Sequence, residues 1–294
     1  MRIASLVPAA TEVLFALGLG GQVVGVTHEC DWPPEARGLP AVTVSRLDTG
    51  SLSGAEIDRI VADSARRGEP LYAVDETVWR EIRADVVVAQ EVCDVCAVSA
   101  GTVRRLDVEV IDYSPTTLDG IAAAIATLGE ALGVPEAGER VAAGLREQIH
   151  RVRVATESAR PRPRVFVAEW LDPPYAGGHW VPEMVTAAGG VEVAGKPGEL
   201  SVRTTWAEVE ALSPDVVVLA PCGFDLERTV AEAPRGVPTS AVFAVDANAV
   251  VSRPGPRIGD GVELLAHLLH PDAWPEPVAP YAVVHRDTIA RMTT

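Results

Sequence analysis

The 294-residue sequence contains only four cysteines and no continuous apolar run of the roughly 18 residues that a membrane-spanning helix needs. So few cysteines in a chain of this length exclude a disulfide-stapled scaffold. The apolar amino-terminal stretch is interrupted by Pro8 and Glu12, has no basic segment before it and no small-residue cleavage motif after it, so it lacks the form of an export signal. We therefore expect no membrane insertion, reduced thiols and a cytoplasmic location.

Positive charge is also scarce, since 25 Lys and Arg face 41 Asp and Glu and leave a formal net charge of −16. A surface of this sign repels phosphate backbones, which excludes nucleic acid as a partner. No Walker, GxSxG or HExxH motif occurs, and LGLGG at 17–21 precedes a strand instead of following one. The sequence identifies no catalytic residue, so a binding protein is favoured over an enzyme.

Short Val- and Ile-rich runs, bounded by turn residues and separated by longer amphipathic segments, predict the strands of an α/β protein. Because the apolar residues are continuous rather than alternating, both strand faces are expected to be buried, as in a parallel sheet covered by helices. The predicted strands are Arg2–Leu6, Gln22–Thr27, Asp85–Ala89, Val108–Asp112, Arg164–Ala168, Asp215–Leu219 and Ala249–Ser252.

A long helical segment separates two strand-rich halves. The stretch from Thr117 to about Ala155 has alanines and leucines at helical spacing, and Gly133-Val134-Pro135 is expected to break or kink it. The predicted organisation is an amino-terminal lobe at 1–115, a connecting helix at 116–160, a carboxyl-terminal lobe at 161–270 and a tail at 271–294, in which AVVHRD adds an edge strand.

Both halves contain the same small unit, a helix that runs into a strand. The unit is WREIRADVVVAQ at 79–90 and WAEVEALSPDVVVLAP at 206–221. In each, the helix is expected to bury its Trp, Ile and Leu side, and an aspartate, Asp85 or Asp215, opens the strand. Two lobes of similar construction are therefore predicted.

The opening RIASLVPAATEVLFALGLGGQVVGVTHECDWPPEA and the units ending in DVVVAQ and SPDVVVLAP resemble the class III substrate-binding proteins of ABC transporters. The likeness extends over about residues 1–270 and is greatest to the cobalamin-binding branch, in a family that also includes siderophore binders. It implies two Rossmann-like α/β lobes with parallel sheets, joined by a long rigid helix, with a ligand in the cleft between them. It also implies an ABC permease as a candidate partner.

The sequence departs from this family pattern in three ways. Transport-linked members are exported or lipidated, and no such signal is evident here. The positions of the family's permease-docking glutamates fall on Thr77, flanked by Glu76, and on Ala207, next to Glu208. Where the cobalamin binder places aromatic residues, this sequence has Glu29 and Leu47, with Trp32 nearby as a substitute.

All four cysteines follow predicted strands, at the carboxyl ends where open α/β sheets place their ligands. Cys93 and Cys96 form a CxxC pair, and a zinc or iron–sulfur site completed by Cys30 and Cys222 is one interpretation, with His28 as a spare nitrogen ligand. The alternatives are thiols that are inert or only line a pocket, and a reversible Cys93–Cys96 redox pair.

The segment VAEWLDPPYAGGHWVPEMVTAAGG at 167–190 is the densest polar and aromatic stretch. A flat ligand or a corrin edge is expected to stack here, with a glutamate and a histidine as polar contacts. The alternative is that the tryptophans cap the core and the histidine bonds to the backbone. The candidate ligand-binding residues are Glu169, Trp170, Tyr175, His179 and Trp180.

Arg253 and Arg257 lie four residues apart, before the predicted helix VELLAHLLH. Positive side chains at a helix start oppose the helix dipole unless an anion is near, so a carboxylate or phosphate ligand is one interpretation. Internal pairing with Asp260 or Glu263 is the alternative.

Three functions follow from these features. The leading hypothesis is a small-molecule-binding protein that holds a corrinoid or another metal chelate, with His28, Glu29 and Trp32 as first-lobe contacts and Arg253 and Arg257 as second-lobe contacts. The alternatives are a cytoplasmic metal or iron–sulfur protein, or metalloenzyme, that uses the four cysteines, and a thiol redox protein.

Overall fold

The computed structural model describes residues 1–90, 108–274 and 279–284. The chain divides into two compact units. The first comprises Met1–Pro115 and Ile121–Ala143, and the second comprises Thr116–Gly120 and Gly144–Thr294. No helix among the described residues is long and apolar enough to cross a membrane.

The first unit contains a parallel sheet and a separate two-stranded antiparallel sheet. The parallel sheet has the strand order β2-β1-β5-β6, and β3 pairs with β4 in the small sheet. The strands are β1 (Ile3–Ser5), β2 (Val23–Gly25), β3 (Thr43–Ser45), β4 (Tyr72–Val74), β5 (Val86–Ala89) and β6 (Glu109–Asp112). The helices of this unit are Pro8–Ala16, Gly54–Arg67 and Glu76–Ile82, with 3-10 turns at Gly20–Gln22, Pro34–Gly38 and Thr49–Ser51. The helices Leu118–Ala131 and Pro135–Thr156 each have residues in both units.

The predicted helix-to-strand unit of the first half is confirmed. Asp75 starts the helix Glu76–Ile82 by accepting hydrogen bonds from the backbone N–H groups of Thr77 (2.9 Å) and Val78 (3.1 Å). Trp79 and Ile82 pack on the core that contains the β5 residues Val87 and Ala89. The burial of this apolar side fixes the helix against the sheet.

The long helical segment is broken where the sequence predicted. One helix ends at Ala131, the next begins at Pro135, and Gly133 between them has a φ of +76°. Glycine adopts this left-handed conformation without strain, and proline suits the first turn of the following helix.

The second unit is built on a seven-stranded mixed sheet. Its order is β10-β8-β7-β11-β12-β13, with β9 also paired to β7; the central strands β7, β11 and β12 are parallel. The strands are β7 (Arg164–Leu171), β8 (Pro174–Ala176), β9 (Val191–Glu192), β10 (Val202–Arg203), β11 (Val216–Leu219), β12 (Ala241–Val245) and β13 (Tyr281–Val283). The helices are Val181–Ala187, Trp206–Ala211, Leu226–Ala231, Ala247–Val250 and Ile258–Leu269.

The second helix-to-strand unit is confirmed as well. Trp206 packs edge-on against Phe166 of β7, with ring centroids 6.0 Å apart, and its indole N–H donates to the Leu171 carbonyl (3.2 Å). The α/β class, the parallel central strands and the antiparallel edge strand β13 thus agree with the sequence-based prediction.

The predicted strand Ala249–Ser252 is wrong. Residues Ala247–Val250 form a short helix, because Asp246 accepts a hydrogen bond from the Ala249 backbone N–H (2.9 Å) and thereby caps a helical turn. The strand of this region is Ala241–Val245 instead. Short apolar runs do not distinguish a buried strand from a buried helix by periodicity alone.

Candidate functional site

In the second unit, an aromatic cluster lies at the carboxyl ends of the parallel strands β7 and β11. Trp170, near the end of β7, packs edge-on against Phe224, which follows β11, with ring centroids 5.2 Å apart. The Arg228 guanidinium lies over the Phe224 ring at 3.8 Å. The exposed Cys222 joins the same end of the sheet, since its backbone N–H donates to the Glu169 carbonyl (3.0 Å).

His179 and Trp180 form a second aromatic pair in this unit. Their ring centroids are 5.6 Å apart, and the Trp180 indole N–H donates to the Val251 carbonyl (2.8 Å). Burial lowers the pKa of His179, which keeps its imidazole neutral at neutral pH. His179 has a backbone φ of 51°, a conformation that residues other than glycine rarely adopt. Such local strain is typical of functional segments.

Glu169 lies on β7 and is bound within its own unit. Its carboxylate accepts hydrogen bonds from the Ser201 hydroxyl and from the Gly178 backbone N–H (3.3 Å). Burial raises the pKa of Glu169 to about 7 despite these two hydrogen bonds. The carboxyl group therefore exchanges a proton near neutral pH.

Glu192 is a second buried carboxyl group beside Glu169. Its Oε1 accepts from the backbone N–H groups of Ala194 (3.0 Å) and Gly195 (3.1 Å). Burial raises the pKa of Glu192 to about 7, and the negative charge of Glu169 adds to the rise. Its Oε2 is buried and has no hydrogen-bond partner among the described residues.

Tyr175, Arg253 and Arg257 complete the candidate residues of the second unit. Tyr175 lies on β8 opposite Trp170 of β7. Arg253 is 9% exposed, and the Arg257 guanidinium lies 3.5 Å from the Asn248 carbonyl oxygen. The carboxylates suggested as internal partners have contacts with other residues, since Asp260 accepts from Gln148 (2.9 Å) and Glu263 pairs with Arg151 (3.8 Å).

In the first unit, His28 lies after β2 among polar and aromatic neighbours. Its Nδ1 is hydrogen-bonded to the Thr43 hydroxyl (2.8 Å), its Nε2 is 3.4 Å from the Glu29 carboxylate, and its ring centroid is 5.4 Å from that of Tyr72. Trp32 is 44% exposed a few residues further on. These groups offer an imidazole, a carboxylate and an aromatic face on one stretch of chain.

The described cysteines differ sharply in their surroundings. Cys30 is buried, and its sulfur lies 3.1 Å from the hydroxyl oxygens of both Thr11 and Thr27, whereas Cys222 is exposed. Cys93 and Cys96 lie outside the described residues. Within the described ranges, no group of three or more His, Cys, Asp or Glu is placed to hold a metal ion.

The two glutamates near the permease-docking positions have different roles in their helices. Glu76 is exposed and pairs with Arg80 one turn along the helix (2.6 Å). Glu208 accepts from the Thr204 hydroxyl (3.0 Å) and from the Thr205 backbone N–H (2.9 Å), and these hydrogen bonds lower the pKa of its carboxyl group. The Thr205-x-x-Glu208 spacing is a capping-box signal that the sequence displays.

Several residues that contact the candidate site residues of the two units were not expected from the sequence. They are Tyr72 and Thr43 beside His28, Phe224 and Arg228 beside Trp170, and Glu192 and Ser201 beside Glu169. The carboxyl-end position of Phe224 on β11 was a usable signal. The contacts of Glu192 and Ser201 join distant segments and have no local pattern.

Known proteins resemble this chain over most of its length, although no protein-family model matches it. A vitamin B12-binding protein of Vibrio cholerae serotype O1 is 26% identical over 275 residues, which cover 89% of this chain and 86% of that protein. An uncharacterized ABC transporter substrate-binding lipoprotein of Bacillus subtilis is 23% identical over 295 residues, covering 94% of this chain and 82% of the lipoprotein. The apo structure of a periplasmic heme-binding protein from Roseiflexus sp. RS-1 is 26% identical, with a TM-score of 0.67 and coverage of 92% of this chain and 98% of that one.

These relatives overturn the cytoplasmic location expected from the sequence. The Roseiflexus protein is periplasmic and the Bacillus protein is a lipoprotein. The cytoplasmic prediction is therefore wrong, because it rested on the first residues alone, whereas the shared fold extends over the whole match. The names of these relatives also give no support to zinc or an iron–sulfur cluster.

All three relatives are named as binding proteins: one for vitamin B12, one for heme and one for the substrate of an ABC transporter. In the first unit His28 follows the parallel strand β2, and in the second Phe224 follows the parallel strand β11, packed against Trp170. The resemblance predicted from the sequence is confirmed: this chain is related to the vitamin B12-binding proteins and has the fold of the class III substrate-binding proteins of ABC transporters.

Proposed function

We propose that this protein binds a metal tetrapyrrole, a corrinoid or a heme, for delivery to an ABC permease. The observation that carries the proposal is the pairing of a histidine with aromatic rings in each unit, His28 with Tyr72 and His179 with Trp180. Flat macrocycles stack on aromatic faces, and a neutral imidazole is a good ligand for their central metal. Relatives named for vitamin B12 and for heme support this ligand class.

In the second unit, we propose Trp170, Tyr175, His179 and Trp180 as contacts of the macrocycle. All four are partly buried, which leaves part of each ring open to a ligand while its packing fixes its orientation. Arg253 and Arg257 are the positive groups of this set, and they suit the carboxylates or phosphate at the edge of such ligands.

In the first unit, we propose His28, Glu29 and Trp32. The Thr43 hydroxyl holds one nitrogen of His28 at 2.8 Å, which leaves the other nitrogen, beside Glu29, as the candidate metal ligand. Trp32 offers an exposed indole face for stacking. The Glu29 carboxylate suits the amide side chains of a corrinoid.

Permease docking is proposed through Glu76 in the first unit. Its carboxylate is exposed and its partner Arg80 is 74% exposed, so the pair can open at small cost. Glu208 caps its own helix. Docking through Glu208 would break these capping hydrogen bonds and would therefore cost more free energy.

Spectrophotometric titration of the purified protein with cyanocobalamin, dicyanocobinamide, hemin and a ferric siderophore tests the proposal. We expect saturable binding of at least one of the three tetrapyrroles. His179→Ala and His28→Ala are expected to weaken it about tenfold or more, which is a loss of about 1.4 kcal/mol.

The exposed helix residue His150 provides the matched control, and His150→Ala is expected to bind as the parent protein does. Binding of the siderophore alone, or of no ligand, contradicts the proposal. Equal affinities for the parent and both site variants contradict the assignment of the histidines.

A further inference from the structure

Two segments of the second unit, 177–180 and 193–201, lie backbone against backbone. The His179 N–H donates to the Glu199 carbonyl (2.6 Å), and the Gly198 N–H donates to the His179 carbonyl (2.9 Å). A Cβ atom on Gly178 would overlap the backbone at Ser201, and one on Gly195 would overlap the backbone of Gly177. The backbone position of His179 is therefore fixed by its contacts with segment 193–201.

Glu169 joins the two segments through its side chain. One donor to its carboxylate, the Gly178 N–H, belongs to segment 177–180, and the other, the Ser201 hydroxyl, belongs to segment 193–201. Glu192 immediately precedes segment 193–201 and accepts from the N–H groups of Ala194 and Gly195 within it. The two carboxyl groups thus bind the same segment near its two ends.

The neighbouring glutamates lie close enough for the charge of one to act on the other. Two ionised carboxylates repel each other in a buried site, while protonation of one of them removes the repulsion. The buried Glu192 Oε2 has no hydrogen-bond partner among the described residues, so it is the oxygen that carries a proton at least cost.

We propose that Glu169 and Glu192 are positioning residues that, while protonated, keep segments 177–180 and 193–201 together, so that loss of protons loosens the segment that carries His179. The role assigned to His179 rests on the proposed function, but the proton-dependent contact between the segments does not.

Other charged groups on the surrounding segments do not replace the pair. Lys196 and Glu199 pair with each other at 3.6 Å, and both side chains are exposed. Burial keeps His179 neutral by lowering its pKa. The other ionisable side chains on the strands around the pair include Arg164 on β7, Tyr175 on β8, Arg203 on β10 and the exposed Cys222 after β11. On the helix Val181–Ala187, which packs against β9, the Glu183 carboxylate accepts from the Leu118 N–H (2.7 Å).

The direction of the pH effect follows from the two pKa values. Both carboxyls have a pKa of about 7 in the folded unit against an ordinary value of 4.5 when the segment is open to water. Opening therefore releases protons between these values and becomes more favourable as the pH rises, by about tenfold per pH unit for each proton released. Above the folded pKa, both states are ionised and the dependence levels off.

Hydrogen–deuterium exchange of the ligand-free full chain, at several pH values between about 5 and 8, measures this opening once intrinsic exchange is corrected for. We expect protection in 177–180 and 193–201 to fall by about tenfold or more per pH unit up to about pH 7 and then to level off. The double variant Glu169→Gln/Glu192→Gln should lose the dependence, and each single variant should show a smaller slope than the parent.

Glu199→Gln is the matched control, because it removes an exposed carboxylate from the same segment, and it should keep the parent's slope. A parent protein without the slope, or a double variant that retains it, overturns the inference. If the double variant is too unstable to analyse, the parent and the single variant Ser201→Ala decide. Ser201→Ala removes a hydrogen bond that lowers the pKa of Glu169, so the pH at which the dependence levels off should rise, and an unchanged levelling-off pH also overturns the inference. Failure to bind any tetrapyrrole refutes the proposed function. It does not affect the inference about Glu169 and Glu192, because the exchange experiment uses ligand-free protein.

Discussion

The backbone N–H of Arg164 donates a hydrogen bond to the carboxylate of Asp215 (2.8 Å), and the guanidinium of the same arginine donates to the two carbonyls that follow the helix Trp206–Ala211. The first unit repeats this arrangement with Arg2 and Asp85 (2.7 Å). The carbonyls are those of Leu212 and Ser213 in one unit and of Ile82 and Arg83 in the other. In both units the side chain of one arginine thus donates to carbonyls at a helix end that lack a partner within the helix. The backbone of the same arginine binds the aspartate that precedes the next strand.

Removing either aspartate should destabilise the fold. We expect Asp215→Ala and Asp85→Ala each to reduce the free energy of unfolding by about 1 kcal/mol, since one hydrogen bond is lost. The Asn variants should lose less, because the amide oxygen still accepts from the arginine N–H. Urea denaturation measures the difference, and Asp272→Ala, at an exposed aspartate, should have no effect. Equal stability of the Ala variants and the parent would refute the role of this contact.

Stability should decrease as the pH rises from about 4.5 to about 7. The folded pKa values of Glu169 and Glu192 lie above the ordinary 4.5, so the folded chain holds more protons than the unfolded one in this range. At about 1.4 kcal/mol per pH unit for each carboxyl, a loss on the order of 5 kcal/mol is expected from this pair over the range. Thermal melts of the parent and of Glu169→Gln/Glu192→Gln separate the contribution of these two carboxyls from that of the other titratable groups. Parallel pH profiles of the two proteins would contradict the raised pKa values of Glu169 and Glu192.

The close backbone approach at Gly178 and Gly195 should not tolerate a side chain. Gly178→Ala and Gly195→Ala are each expected to cost about 2 kcal/mol or more, because the added Cβ overlaps backbone that cannot move away freely. Gly144 lies in the helix Pro135–Thr156 with open space around it, so Gly144→Ala should stabilise the protein by about 0.5–1 kcal/mol. Chemical denaturation of the three variants gives the comparison.

The backbone and the ring of His179 are separable by mutation. Its φ of 51° favours glycine, so His179→Gly should be more stable than His179→Ala by about 1–2 kcal/mol. Both variants lack the imidazole, and hemin affinity should fall in both. If His179→Gly is the less stable variant, the left-handed conformation is wrong; if it alone keeps the affinity of the parent, the imidazole is not a contact.

The two described thiols should differ in reactivity. In a Cys93→Ser/Cys96→Ser background, a thiol-specific reagent should modify the exposed Cys222 rapidly in the folded protein. The buried Cys30, with two threonine hydroxyls around its sulfur, should react only on unfolding. Rate measurements with and without denaturant test this, and rapid modification of both thiols in the folded state would contradict the burial of Cys30.

Local sequence patterns predicted most of the central framework. The continuous apolar runs located β1, β2, β5, β7 and β11, since strands buried on both faces need such runs. The run at Val108–Asp112 also located β6, although this edge strand is mostly exposed. Gly133 and Pro135 located the helix break for conformational reasons that act within a few residues. The short strands β3, β4, β8, β9 and β10 were not predicted, because each has too few residues for a period to show.

The sequence by itself determined the α/β class, the repeated helix-to-strand unit and the resemblance to substrate-binding proteins of ABC transporters, because these depend on residues near one another in the chain. Only the tertiary structure decided that Glu169 meets Ser201, 32 residues away, and that Tyr72 meets His28. It also decided that Cys30 lies among hydroxyl groups. Such contacts and the resulting pKa values depend on which distant segments pack together, and burial arises only when they do.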